Sequence, residues 1–393
     1  MGRKRAVTAA AVEGRRVLVR ADFNVPQNDR GEIADDRRIL EALDTLRYLR
    51  ERGARVVVMS HLGRPRGKPD VRWSLRPIAE RLSGYLGQPV PLLEAPTGPE
   101  TLAKVRNLRD GEFALLENLR FDPGEEANDP GFAAALAALG EIFVEEAFGT
   151  VHRAHASTVG VAQHLPAYAG FLVEREVEEL SKLLGRPEAP FVALLGGAKV
   201  ADKLPLLRSL PGRVDRILLG GALAFPFLSA DGADLGATAV EGGLDDAVRE
   251  VRRLARDRGT ELVLPEDLLV DVPGRRDALA SSARQVPAGA VARDIGPRTR
   301  DRFYERLSDS RTVFWNGPLG LAEDPRYSAG TREVLAGLLT LPGYHVCAGG
   351  DSARIAEDLG VVGAFQFIST GGGAALEFLE GRELPGLAVI PDA

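Results

Sequence analysis

The chain has one cysteine, Cys347, among 393 residues, so no intrachain disulfide can form and no thiolate zinc site can be assembled within one chain. A reducing compartment fits that composition. Long hydrophobic runs are also missing. No segment approaches the ~20 apolar residues that cross a bilayer, and the stretch 1–12, although it carries Arg3, Lys4 and Arg5, lacks the apolar centre of a signal peptide. The expected location is the cytoplasm. Excess positive charge is absent as well. A net charge of −6 offers no broad attraction for nucleic acid or anionic membrane, so an anion site has to be local.

What is present is ordinary for a folded protein: 45% hydrophobic and 27% charged residues, in a length that predicts two domains. Short β-branched and apolar runs recur at 16–20, 55–59, 113–116 and 142–144, then at 191–195, 216–219, 261–264, 312–315 and 344–347. Between them lie stretches of helical spacing, such as Ile39, Leu43, Leu46 and Leu49. Alternating strands and helices predict an α/β fold of two doubly wound lobes, each a mostly parallel sheet with helices on both faces. The expected boundaries are an N-terminal lobe at 1–170, an interdomain helix at 171–185, a C-terminal lobe at 186–374, and a final segment at 375–393. Val173, Val177, Leu180 and Leu184 fall on one face of the 171–185 helix, which reads either as a bridge between lobes or as an ordinary surface helix.

In open parallel sheets, ligands bind beyond the carboxyl ends of the strands. The first-half runs are followed by Asp22-Phe23-Asn24, by His61-Leu62-Gly63-Arg64, by Glu117-Asn118-Leu119-Arg120, and by Glu145-Glu146 with His152-Arg153 beyond. Arg38, His61, Arg64, Arg120 and Arg153 converging there predict a positive pocket for a small, multiply charged anion, since guanidinium forks match phosphate and carboxylate oxygens. His152 and His155 have a spacing compatible with a metal pair, but without acidic or thiolate ligands in a recognisable pattern they read as hydrogen-bonding residues. Second-half runs are followed by Gly196-Gly197-Ala198-Lys199, Gly220-Gly221, Asn316-Gly317-Pro318 and Gly349-Gly350-Asp351-Ser352, with 371–373 all glycine. Glycine-rich turns at helix starts expose amides to phosphate oxygens, which predicts a nucleotide lobe.

Several nucleotide fingerprints are missing. Around 63–68 the glycine spacing is one short of a P-loop and Pro69 stands where a Ser or Thr would hold magnesium. No G-x-G-x-x-G follows a strand, which disfavours the rival reading as a nicotinamide-dependent dehydrogenase. A nucleophile elbow and a protein-kinase H-R-D motif are also absent.

Taken in order, Arg20-Ala21-Asp22-Phe23-Asn24-Val25-Pro26 and the segments 60–65, 147–158, 196–203, 315–320 and 369–379 resemble the phosphoglycerate kinase family across almost the whole chain. The resemblance implies that Asp22, Asn24, Arg38, His61, Arg64, Arg120 and Arg153 hold 3-phosphoglycerate or 1,3-bisphosphoglycerate. ADP or ATP would be held by Gly197, Lys203, Gly220, Gly221, Asn316, Glu323, Gly349, Gly350, Asp351 and Ser352. Glu323 would bond the ribose and Asp351 the accompanying Mg2+. Arg38, Lys199 and the amides of Gly350 and Gly372 would stabilise the phosphoryl group in flight. The resemblance further implies a monomer that closes about the bridging helix, with the run 384–390 either part of the hinge or an ordinary terminal element. Departures are Glu145-Glu146 in place of Asn-Asp, Pro205 and Pro226, Ala222 and Ala348 in place of glycines, and Leu321-Ala322 beside the ribose contact. Most bear on the nucleotide side. A catalytically silent nucleotide sensor is the remaining rival, disfavoured by Lys199, Asp351 and Arg38 being present.

Overall fold

The structure, a computed structural model, describes residues 2–28 and 30–393. The chain divides into two compact units, Met1–Glu179 with Glu383–Ala393, and Leu180–Arg382. The division falls inside the helix Phe171–Leu184, between Glu179 and Leu180.

In the first unit β1 (Arg16–Arg20), β2 (Arg55–Met59), β3 (Leu92–Leu93), β4 (Phe113–Leu116), β5 (Ile142–Glu145) and β6 (Ala167–Ala169) form one sheet in the order β3-β4-β2-β1-β5-β6, parallel throughout. Val17, Val19, Val56 and Val58 are fully buried and pack with Ile39, Leu43 and Leu46 of the helix Arg37–Glu51. Burial of both faces explains why these strands read as continuous apolar runs. The residues Glu383–Ala393 belong to this unit: Gly386 donates its amide to Val151 O, and Ala393 to Arg3 O, both at 2.8 Å.

The second unit has a six-stranded parallel sheet built from β7 (Phe191–Leu195), β8 (Arg216–Leu219) and β9 (Glu261–Val263), with β13 (Thr312–Asn316), β14 (Tyr344–Ala348) and β15 (Phe367–Ser369), in the order β15-β14-β13-β7-β8-β9. A separate antiparallel sheet, β11-β10-β12, comes from β10 (Asp267–Asp271), β11 (Leu279–Ser282) and β12 (Val291–Ile295). Sequence reading predicts nothing there, because β11 is only half-buried and carries little apolar signal. β3, β6 and β15, two or three residues long, also escape it. The two doubly wound lobes are as expected; the small antiparallel sheet is an addition.

Candidate substrate and nucleotide sites

Parallel strands put their carboxyl ends on one edge, and in the first unit the segments leaving β1, β2 and β4 are stitched together there. Ser60 Oγ accepts from the Phe23 amide at 2.9 Å, Asn24 Oδ1 from the Gly63 amide at 2.9 Å, and Asn118 Nδ2 donates to Leu62 O at 2.8 Å. Gly63 sits at φ 62°, and a Cβ there would lie 2.2 Å from the Trp73 ring, so only glycine lets the loop pass. Its carbonyl takes a hydrogen bond from Arg120 at 2.8 Å, and Arg120 Nε lies 3.1 Å from Glu126.

Arg38 donates to Asp22, whose other oxygen accepts from the Asn24 amide at 3.2 Å. Burial alone would push the Asp22 carboxyl up, but nearby positive charge, that of Arg38 first and of Arg20 beyond it, outweighs it and holds it at about 2. His61 is itself buried, and desolvation with three arginines around it pushes its pKa well below the usual histidine range, against the pull of Asp22. Sequence reasoning counted His61 among five positive charges. Burial leaves it neutral at pH 7, so the charge comes from four guanidiniums. Arg64 and Arg153 are exposed and form no ion pair among the described residues. Arg153 is close enough to Arg120 that, after burial, its repulsion helps lower the Arg120 pKa.

A buried polar network adjoins these arginines, and sequence reading missed it. Arg20, only 1% exposed, donates from Nε to Ser157 Oγ at 2.8 Å and lies 3.1 Å from His61 Nδ1. Ser157 gives its hydroxyl and amide to buried Glu125 at 2.6 and 3.1 Å, and His155 Nδ1 lies 3.8 Å from the same carboxylate. Desolvation and nearby arginines hold His155 near 4, so it is neutral too. Glu145, at the end of β5, accepts from the Ala147 amide at 2.8 Å while its other oxygen is buried with no partner. Desolvation drives its carboxyl to about 8, although Arg20 opposes this. Glu146 accepts the Leu172 amide at 3.2 Å and caps the first turn of the helix Phe171–Leu184.

In the second unit the glycine turns lock onto one another. Gly196 and Gly197 donate their amides to Asn316 O at 3.0 Å and Pro318 O at 2.7 Å, and Gly221 donates to Leu319 O at 2.8 Å. A Cβ on Gly196 would lie 2.0 Å from Pro318 O, a main-chain atom that cannot swing aside. Lys203, on the helix Val200–Ser209, turns its ammonium to Gly196 O and, at 3.3 Å, to Asn316 O. Desolvation lowers it to about 8, with Asp351 opposing. Asn316 Nδ2 donates to Ala348 O at 2.6 Å, leaving Oδ1 buried without a partner, and Ser352 Oγ accepts from the Gly317 amide at 2.9 Å. Lys199, at the N-cap of the helix Val200–Ser209, and Asp351, in the first turn of the helix Gly350–Asp358, are exposed and form no ion pair among the described residues. Gly372, at φ 56°, precedes the helix Gly373–Leu379.

Beside these turns is a largely apolar cleft of about 290 Å³, lined by Gly197, Gly221, Phe225, Pro318, Leu321 and Glu323 among others. A larger cleft of about 640 Å³ in the first unit is walled by Asp70, Glu94, Glu117 and Asp122 against one cation, Arg76, a net negative charge that an acidic substrate avoids. No group of three or more His, Cys, Asp or Glu side chains that could hold a metal ion occurs among the described residues. No described helix is long and apolar enough to cross a membrane.

The sequence model of the family described as phosphoglycerate kinase matches residues 7–382. A phosphoglycerate kinase of Rubrobacter xylanophilus is 49% identical over 391 residues, covering 99% of this chain and 98% of that relative. One from Dictyoglomus turgidum is 46% identical over 385 residues, 97% and 96% of the two chains. Among solved structures, phosphoglycerate kinase from Coxiella burnetii superposes with a TM-score of 0.88 at 35% identity, and that of Pyrococcus horikoshii with 0.86 at 33%, each covering 98% of both chains. The chain belongs to the phosphoglycerate kinase family, a phosphotransferase of glycolysis that reversibly moves the acyl phosphate of 1,3-bisphosphoglycerate to ADP, giving ATP and 3-phosphoglycerate.

Proposed function

We propose that the acid is held by the first unit, through Asp22, Asn24, Arg38, His61, Arg64, Arg120 and Arg153, and the nucleotide by the second. The observation that carries this is the state of the arginines at the sheet edge. Arg64 and Arg153 are exposed without acidic partners among the described residues, while Arg38 and Arg120 are already oriented by Asp22 and by Gly63 and Glu126. Fixed and free guanidiniums together suit a ligand with a phosphate at one end and a carboxyl at the other. Neutral His61 adds a hydrogen bond without adding charge.

On the nucleotide side, Gly197, Gly220, Gly221 and Gly349 shape the turns, Glu323 meets the ribose, and Lys203, Gly350, Asp351 and Ser352 surround the phosphates. Asn316 contributes through the second N–H of its amide, the first being held by Ala348 O. Mg2+ suits this donor set, because it is commonly held by one carboxylate with the rest of its shell from phosphate oxygens and water, and Asp351 is one exposed carboxylate at a helix start. When bound it neutralises charge between the phosphates.

The nucleophile in the direction of ATP use is the carboxylate of 3-phosphoglycerate, ionised at neutral pH, so no general base is needed. Catalysis is then alignment and charge stabilisation. Lys199, without an ion pair among the described residues, is available to the transferring phosphoryl group, Arg38 orients the acceptor, and the amides of Gly350 and Gly372 supply further donors. Direct transfer between groups held by different units also requires closure, read as compaction in small-angle scattering when both substrates are present. The central test is a coupled assay of ATP-dependent phosphorylation of 3-phosphoglycerate with Lys199→Ala and Arg38→Ala alongside. Each substitution should lower kcat by about a hundredfold or more, as loss of a transition-state donor does. Unchanged rates in both variants would overturn the assignment.

A further inference from the structure

The cleft beside the glycine turns has one feature that phosphate binding leaves unused. Among its lining residues Arg293 is the single cation and Glu323 the single anion, and Thr238 is the only neutral residue with a polar side chain. Thr238 Oγ1 is already engaged, accepting from the Ala292 amide at 2.9 Å. Strand β12 alternates, with Ala292 and Asp294 buried while Val291 is half-buried and Arg293 exposed. Val291 and Arg293 therefore share the other face. The Arg293 carbonyl accepts from the Leu321 amide at 2.8 Å, fixing this strand to the loop that carries Glu323. Its guanidinium makes no ion pair among the described residues. The nearby carboxylate of Asp324 is held chiefly by Arg326, and Arg293 affects it only weakly.

We infer that Arg293 selects the base of the nucleotide, favouring a purine that presents two acceptors, O6 and N7, on one edge. This rests on the proposed binding of the nucleotide at the second unit's glycine turns, which places its base in the cleft beside them. A guanidinium offers donors only, in a planar fork. Guanine and hypoxanthine meet that fork with O6 and N7. Adenine offers N7 alone and places its N6 amino group, a donor, against the other prong. Elsewhere the cleft is glycine, alanine, proline and aliphatic or aromatic surface, which holds any purine face equally well. Discrimination between bases thus falls on Arg293.

The test compares ADP, GDP and IDP as acceptors in the coupled reaction, with equilibrium titration of the same nucleotides against the full chain. IDP separates the O6 and N7 edge from the 2-amino group. The wild type is expected to use GDP and IDP with kcat/KM at least equal to that for ADP. Arg293→Leu should lower the GDP to ADP and IDP to ADP ratios together by about tenfold, within what a bidentate guanidinium contact distinguishes. Three results would overturn the inference: a wild type favouring ADP over GDP by about tenfold or more, equal losses for all three nucleotides in Arg293→Leu, or a loss for GDP that IDP does not share. Failure of the proposed function looks different, as no phosphoglycerate-dependent turnover with any nucleotide. In that case the Kd ratios from titration still decide the role of Arg293.

Discussion

Glu145 offers the sharpest quantitative test, because its carboxyl is fully buried, has one oxygen on the Ala147 amide and leaves the other without a partner. In the unfolded chain it ionises near its ordinary value of 4.5, and in the fold near 8. Between those values the folded state holds a proton the unfolded chain has released, so stability falls as pH rises through this window and the full loss is present above pH 8. Carried over unreduced, the difference corresponds to about 5 kcal/mol. Rearrangement of the surrounding side chains lowers what is realised, to about 2 kcal/mol. Glu145→Gln keeps the acceptor for Ala147, replaces the protonated oxygen by an amide of similar shape and removes the ionisation. Urea unfolding would be followed by fluorescence of Trp73, which lies in the first unit, while the other tryptophan, Trp315, lies in the second. At pH 5 the variant should match the wild type within about 0.5 kcal/mol. At pH 9 it should be about 2 kcal/mol more stable, a midpoint shift of roughly 1 M urea. Asp294, raised by burial to about 7 in the second unit, adds its own pH dependence to both proteins and cancels in the difference, which reports Glu145 together with its repulsion of buried Glu146. A gap that is the same at pH 5 and pH 9 would refute the reasoning.

Gly196→Ala places a Cβ 2.0 Å from Pro318 O, so titration should show weaker ADP binding by about tenfold or more while 3-phosphoglycerate binding by the first unit is unchanged. Lys203, lowered to about 8 by desolvation, should regain a proton when phosphates arrive. Calorimetry of ADP binding at pH 8.5 to 9, in buffers of different ionisation enthalpy, should report proton uptake that vanishes below pH 7 and in Lys203→Met. Glu146→Ala removes the acceptor for the Leu172 amide and should cost about 2 kcal/mol in urea unfolding at pH 5, whereas Glu146→Gln retains an acceptor and should stay within about 0.5 kcal/mol at that pH, where burial keeps the Glu146 carboxyl protonated.

Much of the fold was legible because the central strands, such as β1, β2 and β7, are buried on both faces and read as unbroken apolar runs. Candidate site residues were legible for a related reason: in a parallel sheet, the polar residues just after each run share one edge. What could not be read is which charges lose water. Arg20, Arg38 and Arg64 are the same residue type in one stretch of chain. Yet Arg20 is buried on Ser157, a partner 137 residues away, Arg38 is held by Asp22, and Arg64 is exposed without an ion pair among the described residues. The same holds for carboxylates and histidines. Asp22 falls to about 2 and Glu145 rises to about 8 within one neighbourhood, and His61 turns neutral among arginines that sequence reading had grouped it with. Residue type sets what a group can do, but protonation is decided by desolvation and by partners brought in from distant strands. The charge presented by groups at strand ends has therefore to be counted only after the burial and partners of each one are known.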